Sequence, residues 1–433
     1  MRDIIVIAIV AVGCLAALRR PWIGVMLWTW LSIMNPHRYT WGVAYEAPLA
    51  ACTAAATLVG LLLTRDRESP FKSPAVVLFV AFTAWATVSW LFGINPTGDY
   101  DRWNRMFKIN LMILVALSLL RTKQHILVLA WVVTGSLAIL GIKGGLFTLA
   151  SGGSYRVWGP PGSFVEDNNA MALALVMTIP LLRFLQLQLQ GRWARRGMLV
   201  AMVLCGASVL GSQSRGALLG VSAMALMFWW RGHSRVAGGI VLAAIAIGLV
   251  TFMPASWFDR METIGTYEQD SSAMGRITAW WVAWRVALNY PFGVGFDTAQ
   301  PWLFALYAPE PNAIARASHS IYFEVLGNHG FVGLGLFLAL WIVTWRSAGR
   351  MRRQASRIPE AKWCGDLGSM CQASLLGYAV GGAFLNLSYF DLPYNLMALV
   401  VLANVWIRRR GWETEKVGRG AARSAVRLSA SRA

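Results

Sequence analysis

The run QHILVLAWVVTGSLAILGIKGGLFTL, from Gln124 to Leu149, decides the fold class. Lys143 is its one Lys, Arg, Asp or Glu residue. A helix needs about 20 apolar residues to cross the hydrocarbon of a bilayer, and this run exceeds that length. It lacks the strict alternation of a membrane β-strand, so it predicts a membrane-spanning α-helix.

Similar apolar runs fill most of the chain. They fall at roughly 3–18, 21–34, 46–64, 74–93, 108–120, 124–149, 167–188, 196–211, 213–230, 235–253, 319–346, 366–387 and 391–407. The first two runs are short, so they are either half-spans or one broken unit. The prediction is an all-α polytopic membrane protein with about 12 or 13 transmembrane helices.

Composition agrees with this class. Hydrophobic residues make up 57% of the 433 residues, charged residues only 14%, and the formal net charge is +19. In a soluble protein such a charge would suggest nucleic acid as a partner. Here most Lys and Arg residues fall in short loops and in the C-terminal tail, as the positive-inside rule expects. The charge therefore favours membrane topology and contact with anionic membrane lipids over nucleic acid.

The charge of the loops predicts on which side of the membrane each loop lies. The basic segments are 19–20, 65–72, 121–123, 192–196, 231–235, 346–357 and the tail from Arg408. The less basic segments are 35–45, 94–107, 150–166, 211–215, 254–318 and 386–391. The two sets interleave, which predicts a cytoplasmic location for the basic set and, in a bacterial inner membrane, a periplasmic location for the other.

The predicted topology divides the chain into four segments. Residues 1–253 are predicted to form the first part of the helix bundle, and 254–318 a large periplasmic loop. Residues 319–410 are predicted to form the last helices. Residues 411–433 are predicted to be a disordered basic tail in the cytoplasm.

Arginine residues on the predicted outer side are the first functional candidates. They are Arg156 in a Gly-rich loop, Arg215 in a Ser/Gly-rich turn, and Arg276, Arg285 and Arg316 in the long loop. An arginine at the membrane edge is costly unless it meets water or an anion. Its forked, permanent charge suits phosphate. Several together suggest a diphosphate pocket, and the alternative for each is snorkelling to lipid headgroups.

His319 is the candidate base. It lies between Ser318 and Ser320 where an apolar run begins on the arginine-bearing side. A lone histidine is more often structural, but the near-neutral pKa of imidazole suits it to take a proton from a sugar hydroxyl. His329, further along the same predicted helix, is a second candidate.

Two short polar motifs can be explained without a functional role. Asn168 and Asn169 follow Asp167 at a predicted helix start, where an Asp or Asn is an ordinary N-cap. The functional alternative is hydrogen bonding to a sugar or diphosphate at the positive helix end. Asp99 and Asp101 form an Asp-x-Asp triplet, which alone is weak evidence for a metal site.

The sequence contains no Walker loop, dinucleotide fingerprint or zinc motif. We expect no cofactor and no metal. The energy for a reaction on the outer side must then come from an activated donor, and an outward-facing lipid diphosphate would fit the arginines.

A combination of motifs resembles the O-antigen ligase superfamily, which includes O-antigen polymerases and protein O-oligosaccharyltransferases. The motifs are Ser272–Arg276 with Trp280, a long segment, His319–Glu324 and then Gly330–Leu334. The likeness covers most of the chain. Its most specific part is the order of arginine, long loop and His-x-x-Tyr.

Three further stretches look like the ligase-like branch associated with exosortase systems. They are Arg20–Val25, Asn35–Arg38 and Met261–Ile264.

The resemblance implies a GT-C-type fold with a large periplasmic loop and a metal-independent reaction. The implied donor is a glycan on undecaprenyl diphosphate, and the acceptor of a ligase is the lipid A–core oligosaccharide. His319 matches the essential histidine of the family, and Arg215 and Arg276 match arginines thought to bind the diphosphate. Ser320 and His329 stand where many relatives have Asn and an acidic residue, which leaves the acceptor contacts open.

The leading hypothesis is therefore an inverting O-antigen ligase with His319 as general base. Arg156, Arg215, Arg276 and Arg285 are the expected diphosphate ligands. Weaker expectations for substrate contact fall on Asn168, Asn169, Arg316, Tyr322 and His329. The alternatives are a protein O-oligosaccharyltransferase, an O-antigen polymerase and, from another class, a transporter of lipid-linked glycans.

Overall fold

A computed structural model describes residues 1–232 and 271–415, with scattered positions between 236 and 258. Most of the predicted run 235–253, the motif Met261–Ile264 and the tail beyond Glu415 lie outside the described residues.

The described chain is helical, and no strand occurs within it. Its first part contains α1 (Arg2–Arg19), α2 (Pro21–Met34), α3 (Val43–Glu46), α4 (Leu49–Leu63), α5 (Pro74–Leu91), α6 (Tyr100–Leu119), α7 (Lys123–Ala150), α8 (Asn168–Gln188), α9 (Arg192–Gly211) and α10 (Arg215–Arg231). Its second part contains α11 (Ser271–Asn289), α12 (Pro301–Tyr307), α13 (Ile321–Ala355), α14 (Lys362–Gly381) and α15 (Asp391–Arg408). Short 3₁₀ turns lie at Pro36–Tyr39, Pro359–Ala361 and Gly382–Phe384.

Several helices are suited to a membrane. Five are long and apolar enough to cross one, namely α5, α7, α8, α9 and α13, while α2 and α4 are apolar but shorter. The protein is therefore an all-α membrane protein, and the larger number of spans stays a prediction.

Side-chain caps mark where important helices begin. Ser73, Thr122, Asp167 and Ser214 each accept a hydrogen bond from a backbone N–H in the first turn of α5, α7, α8 and α10. Such caps satisfy donors that the helix itself leaves open. The Asp167 cap confirms the ordinary reading of that motif.

Helix α8 lies at the centre of the bundle. Of the five candidate spans it is the most buried, with 83% of its apolar window inside the protein. It packs against α7, α9, α10 and α14. A helix that is apolar all round belongs in an interior, and this placement holds the N-terminus of α8 fixed for the functional site.

The predicted loop 254–318 is largely structured where it is described. Helix α11 packs against α13, and its residues Ala279, Val282 and Val286 share a small core with Leu303 and Phe304. The loop therefore carries its own apolar anchor, which fixes it on the bundle.

Helix α13 extends beyond the predicted run 319–346 and is kinked. Gly330 has φ 66°, a left-handed value that glycine adopts without strain. A Cβ on Gly330 would lie 2.7 Å from the Pro291 carbonyl, and one on Gly293 would overlap the Asn328 carbonyl. The two glycines thus let the 291–295 loop pack directly on the kink.

Candidate functional site

A small polar cavity of about 200 Å³ gathers several of the predicted site residues. It is lined by Asn169, Ser214, Arg215, Gly216, Ser272, Arg276, Phe384 and Leu385. We call it the arginine cavity. Helices α8 and α10 begin beside it, and Ser272 and Arg276 belong to α11. Helix N-termini carry partial positive charge and unsatisfied N–H donors, so with two guanidinium groups they favour an anion such as phosphate.

Hydrogen bonds from neighbouring residues hold the turn that carries Arg215 in place. Gln213 has φ 56°, an uncommon value for a residue with a side chain. The buried Asn168 donates through Nδ2 to the Ser212 carbonyl at 2.7 Å. Ser214 caps α10, of which Arg215 is the first residue. Asn168 therefore positions the arginine turn, while its neighbour Asn169 faces the cavity.

His319 lies in a second strained turn, directly before Ser320, the N-cap of α13. Its φ is 46°. A non-glycine residue in this region costs free energy and persists only where its surroundings fix it. Trp280 supplies such a restraint, because its Nε1 donates to the Ser318 carbonyl at 2.7 Å and its ring stacks on Phe323 at 5.1 Å. Trp280 thereby ties α11 to the histidine turn.

The electrostatics around His319 favour the neutral imidazole. Burial lowers its pKa below the usual 6.5, and the charges of Arg276 and Arg316 lower it further, while Asp167 acts in the opposite direction. A Cβ on Gly275 would overlap the guanidinium of Arg316, so that side chain crosses α11 beside Arg276. The histidine and the arginine cavity thus belong to one electrostatic unit, and a neutral imidazole can accept a proton.

A larger cavity of about 370 Å³ includes Ser318 of the histidine turn in its lining, and we call it the central cavity. It is lined by Asp101, Arg102, Arg105, Phe164, Phe296, Asp297, Thr298, Ala299, Ala317, Ser318, Glu324, Asn328, Asn386 and Tyr389. Ser318 and Asn386 are hydrogen-bonded at 3.2 Å. Because Phe384 and Leu385 line the arginine cavity and Asn386 lines the central cavity, the segment 384–386 borders both spaces.

The central cavity combines polar groups with aromatic walls. The Glu324 carboxylate accepts from the Ser388 hydroxyl, and Arg102 pairs with Asp297 at 2.8 Å. Carboxylates, amides and guanidinium groups can bind sugar hydroxyls, and the aromatic rings can cover the apolar faces of a sugar. The two cavities thus offer an anion site and a hydroxyl-binding site near the histidine turn.

The Asp-x-Asp triplet is divided between two roles. The buried Asp99 accepts from the Phe296 N–H at 2.7 Å, whereas Asp101 lines the central cavity. In the described part of the chain, no group of three or more His, Cys, Asp or Glu side chains is placed to hold a metal ion.

Two predicted diphosphate ligands are not among the residues that line the arginine cavity. Arg156 is exposed, and Arg285 is exposed and stacks on Trp281 at 4.9 Å. The structure therefore brings together Arg215 and Arg276 but not the other two.

The remaining predicted contacts have local partners. The Tyr322 hydroxyl donates to the Ala379 carbonyl at 2.8 Å. His329 is fully buried and lies 2.8 Å from the Tyr389 hydroxyl through Nε2. His329 thus supports the wall of the central cavity through Tyr389.

Sequence reasoning missed most of the central cavity. Its lining comes from five separate parts of the chain, and Glu324 and Asn328 lie inside an apolar run. The signal that could have found them is the placement of polar side chains within a predicted membrane helix, which usually marks function.

Comparison with known proteins covers both parts of the chain. Residues 1–189 match a family of unknown function (DUF5935), and residues 200–338 match the O-antigen ligase family. A search among curated proteins gave no match. The ligase match spans Arg215, Arg276, Trp280 and His319, and it supports a ligase- or polymerase-type function in a membrane glycosyltransferase-like enzyme. The relation to the exosortase-associated branch stays a prediction. The match over residues 200–338 supports the O-antigen ligase superfamily for this chain.

Proposed function

We propose that the protein is an O-antigen ligase of the bacterial inner membrane. It transfers a glycan from undecaprenyl diphosphate to the lipid A–core oligosaccharide on the periplasmic face, within a GT-C-type bundle of about 12 spans. The observation that carries the proposal is the arginine cavity, where Arg215 and Arg276 meet the N-termini of α8 and α10, and Arg276 acts electrostatically on His319.

The donor diphosphate binds in the arginine cavity. Its negative charge grows as the glycosidic bond breaks, since the leaving group takes the bonding electrons. Guanidinium groups held in place before the reaction stabilise that charge without reorganisation. The polyprenyl tail stays among the membrane helices, and the glycan points towards the central cavity.

His319 acts on the acceptor. Its neutral imidazole takes the proton of the acceptor hydroxyl, and the oxygen attacks the anomeric carbon opposite the diphosphate. The new carbon–oxygen bond forms as the bond to the diphosphate oxygen breaks. One displacement inverts the anomeric configuration and leaves the proton on His319.

Two alternative enzymes would use the same lipid-linked donor with a different acceptor. A protein O-oligosaccharyltransferase would use a protein hydroxyl as the acceptor, and an O-antigen polymerase would use a second lipid-linked glycan. A transporter would hold the diphosphate in the same arginines without any bond breaking.

A panel of acceptors tests the proposal. Purified full-length protein in proteoliposomes receives undecaprenyl diphosphate-linked glycan and, in separate reactions, lipid A–core, a protein acceptor or no acceptor, without ATP. We expect glycan on lipid A–core alone. Transfer to the protein, chain extension without acceptor, or an intact donor in every reaction would each contradict the ligase assignment in a distinct way.

The pH profile of transfer tests the base. Since only the neutral imidazole works, kcat/KM rises with pH through the pKa of His319. Arg316→Gln removes a charge that lowers this pKa, so the acid limb should move to higher pH. Asp167→Asn removes a carboxylate that raises it while keeping a capping oxygen, so the limb should move to lower pH. Shifts of the two variants in the same direction would contradict the assignment.

A further inference from the structure

A groove of about 490 Å³ runs along α2, α4 and α6, wholly within the region that matches the family of unknown function. Small side chains on α4 create it, because Ala50, Ala51, Ala54 and Ala55 leave space over one and a half helical turns. Its wall on α6 is apolar and includes Ile109 and Met112. The groove has the shape and chemistry of a site for an acyl chain.

Cationic side chains form one end of the groove. Arg38 follows α2, and Arg105 and Lys108 are one turn apart near the start of α6. This is the predicted periplasmic end of all three helices. In the part of the chain that the structure describes, none of the three cations has a carboxylate within ion-pairing distance.

Two of these cations are held in place by aromatic rings. Arg38 stacks on Tyr45 at 4.8 Å and Arg105 on Phe164 at 5.1 Å. Basic pockets between membrane helices bind anionic lipid headgroups. Because membrane lipid is as apolar as the groove, chain packing adds little net affinity, and the cations must select the ligand.

The groove adjoins the central cavity. Arg105 and Phe164 line both spaces, and the central cavity reaches Ser318 beside His319. A lipid whose chains lie in the groove would therefore place its headgroup next to the central cavity, which includes Ser318 beside His319. The headgroup must carry phosphate for the cations and hydroxyls for the cavity.

We propose that this groove binds the acceptor as a phosphorylated glycolipid, with phosphate at Arg38, Arg105 and Lys108 and its sugars in the central cavity. The N-terminal region then supplies acceptor selection, while the region of the ligase match supplies the donor site and the base. The role as acceptor rests on the proposed function, but lipid binding does not.

Native mass spectrometry of the full-length protein tests binding without any reaction. The ligands are lipid A with both phosphates, dephosphorylated lipid A, phosphatidylglycerol and undecaprenyl diphosphate. Arg38→Gln combined with Lys108→Gln should weaken lipid A binding about 10- to 30-fold and leave undecaprenyl diphosphate binding unchanged. Dephosphorylated lipid A should bind weakly to wild type and variant alike.

Matched controls separate charge from folding. Arg2→Gln combined with Arg196→Gln removes two cations that also stack on aromatic rings but do not line the groove or either cavity, and should leave lipid A binding unchanged. Ala55→Leu, at an exposed position of the groove, fills the space without changing charge and should weaken lipid A binding. Equal lipid A binding by wild type and both groove variants would overturn the proposal.

Two other results would also overturn it. One is loss of undecaprenyl diphosphate instead of lipid A, which would make the groove a donor site. The other is equal affinity for lipid A, its dephosphorylated form and phosphatidylglycerol. In transfer assays the groove variants should raise KM for lipid A–core and leave the donor KM unchanged. If no variant or wild-type protein transfers glycan, the binding data still decide the groove.

Discussion

His319→Ala is expected to lower kcat for glycan transfer about 10²- to 10⁴-fold, the usual contribution of a positioned general base. The neutral imidazole is the group beside the arginine cavity that can take a proton at neutral pH. Donor binding should survive, because the arginines and the helix N-termini remain. The measurement is single-turnover transfer with saturating donor and acceptor, which separates the chemical step from binding.

His125→Ala serves as the histidine control. His125 is also half-buried, but it stacks on Trp22 near the start of α7 and lines neither cavity. Transfer by this variant should stay close to the wild-type rate. Wild-type transfer by a folded, membrane-inserted His319→Ala protein would remove the base from the mechanism.

Arg215→Gln and Arg276→Gln are each expected to lower kcat/KM about 10²- to 10³-fold, the effect of losing one preorganised donor to a developing charge. Lysine at either position should restore only part of the loss, since it keeps the charge but lacks the fork that binds two phosphate oxygens. Affinity for undecaprenyl diphosphate, measured in the absence of acceptor, should fall in parallel.

Arg156→Gln provides the comparison for this series. Arg156 is exposed and is not among the residues that line the arginine cavity, so its replacement should change kcat/KM about twofold or less, as for an ordinary surface site. An equal loss for Arg156, Arg215 and Arg276 would mean that charge around the site matters and the cavity geometry does not.

The helices were predictable because each depends on its own local hydropathy. The run 124–149 became Lys123–Ala150, and 167–188 became Asn168–Gln188. The structured part of the loop 254–318 was not predicted. Its helix Ser271–Asn289 is stabilised by packing on α13 and by a small shared core, and neither is visible in a window of sequence.

The site was predictable where unusual residues stand at helix ends, as Arg215 and His319 do, whereas Arg276 was predicted from its motif in the long loop. The sequence could not separate these arginines from Arg156, because the residue type is the same and only packing decides which side chain reaches the cavity. It also could not separate Asn168 from Asn169. Neighbouring helical residues point about 100° apart, so one binds the arginine turn and the other faces the cavity.

In the proposed mechanism the protein breaks the bond between glycan and diphosphate by direct displacement. The most direct test is a single-turnover mass balance with purified protein, labelled donor and lipid A–core. We expect one undecaprenyl diphosphate released for each glycan joined to lipid A–core, with no release when the acceptor is left out. A donor that stays intact, or one that only changes leaflet, would contradict the claim and favour a transporter.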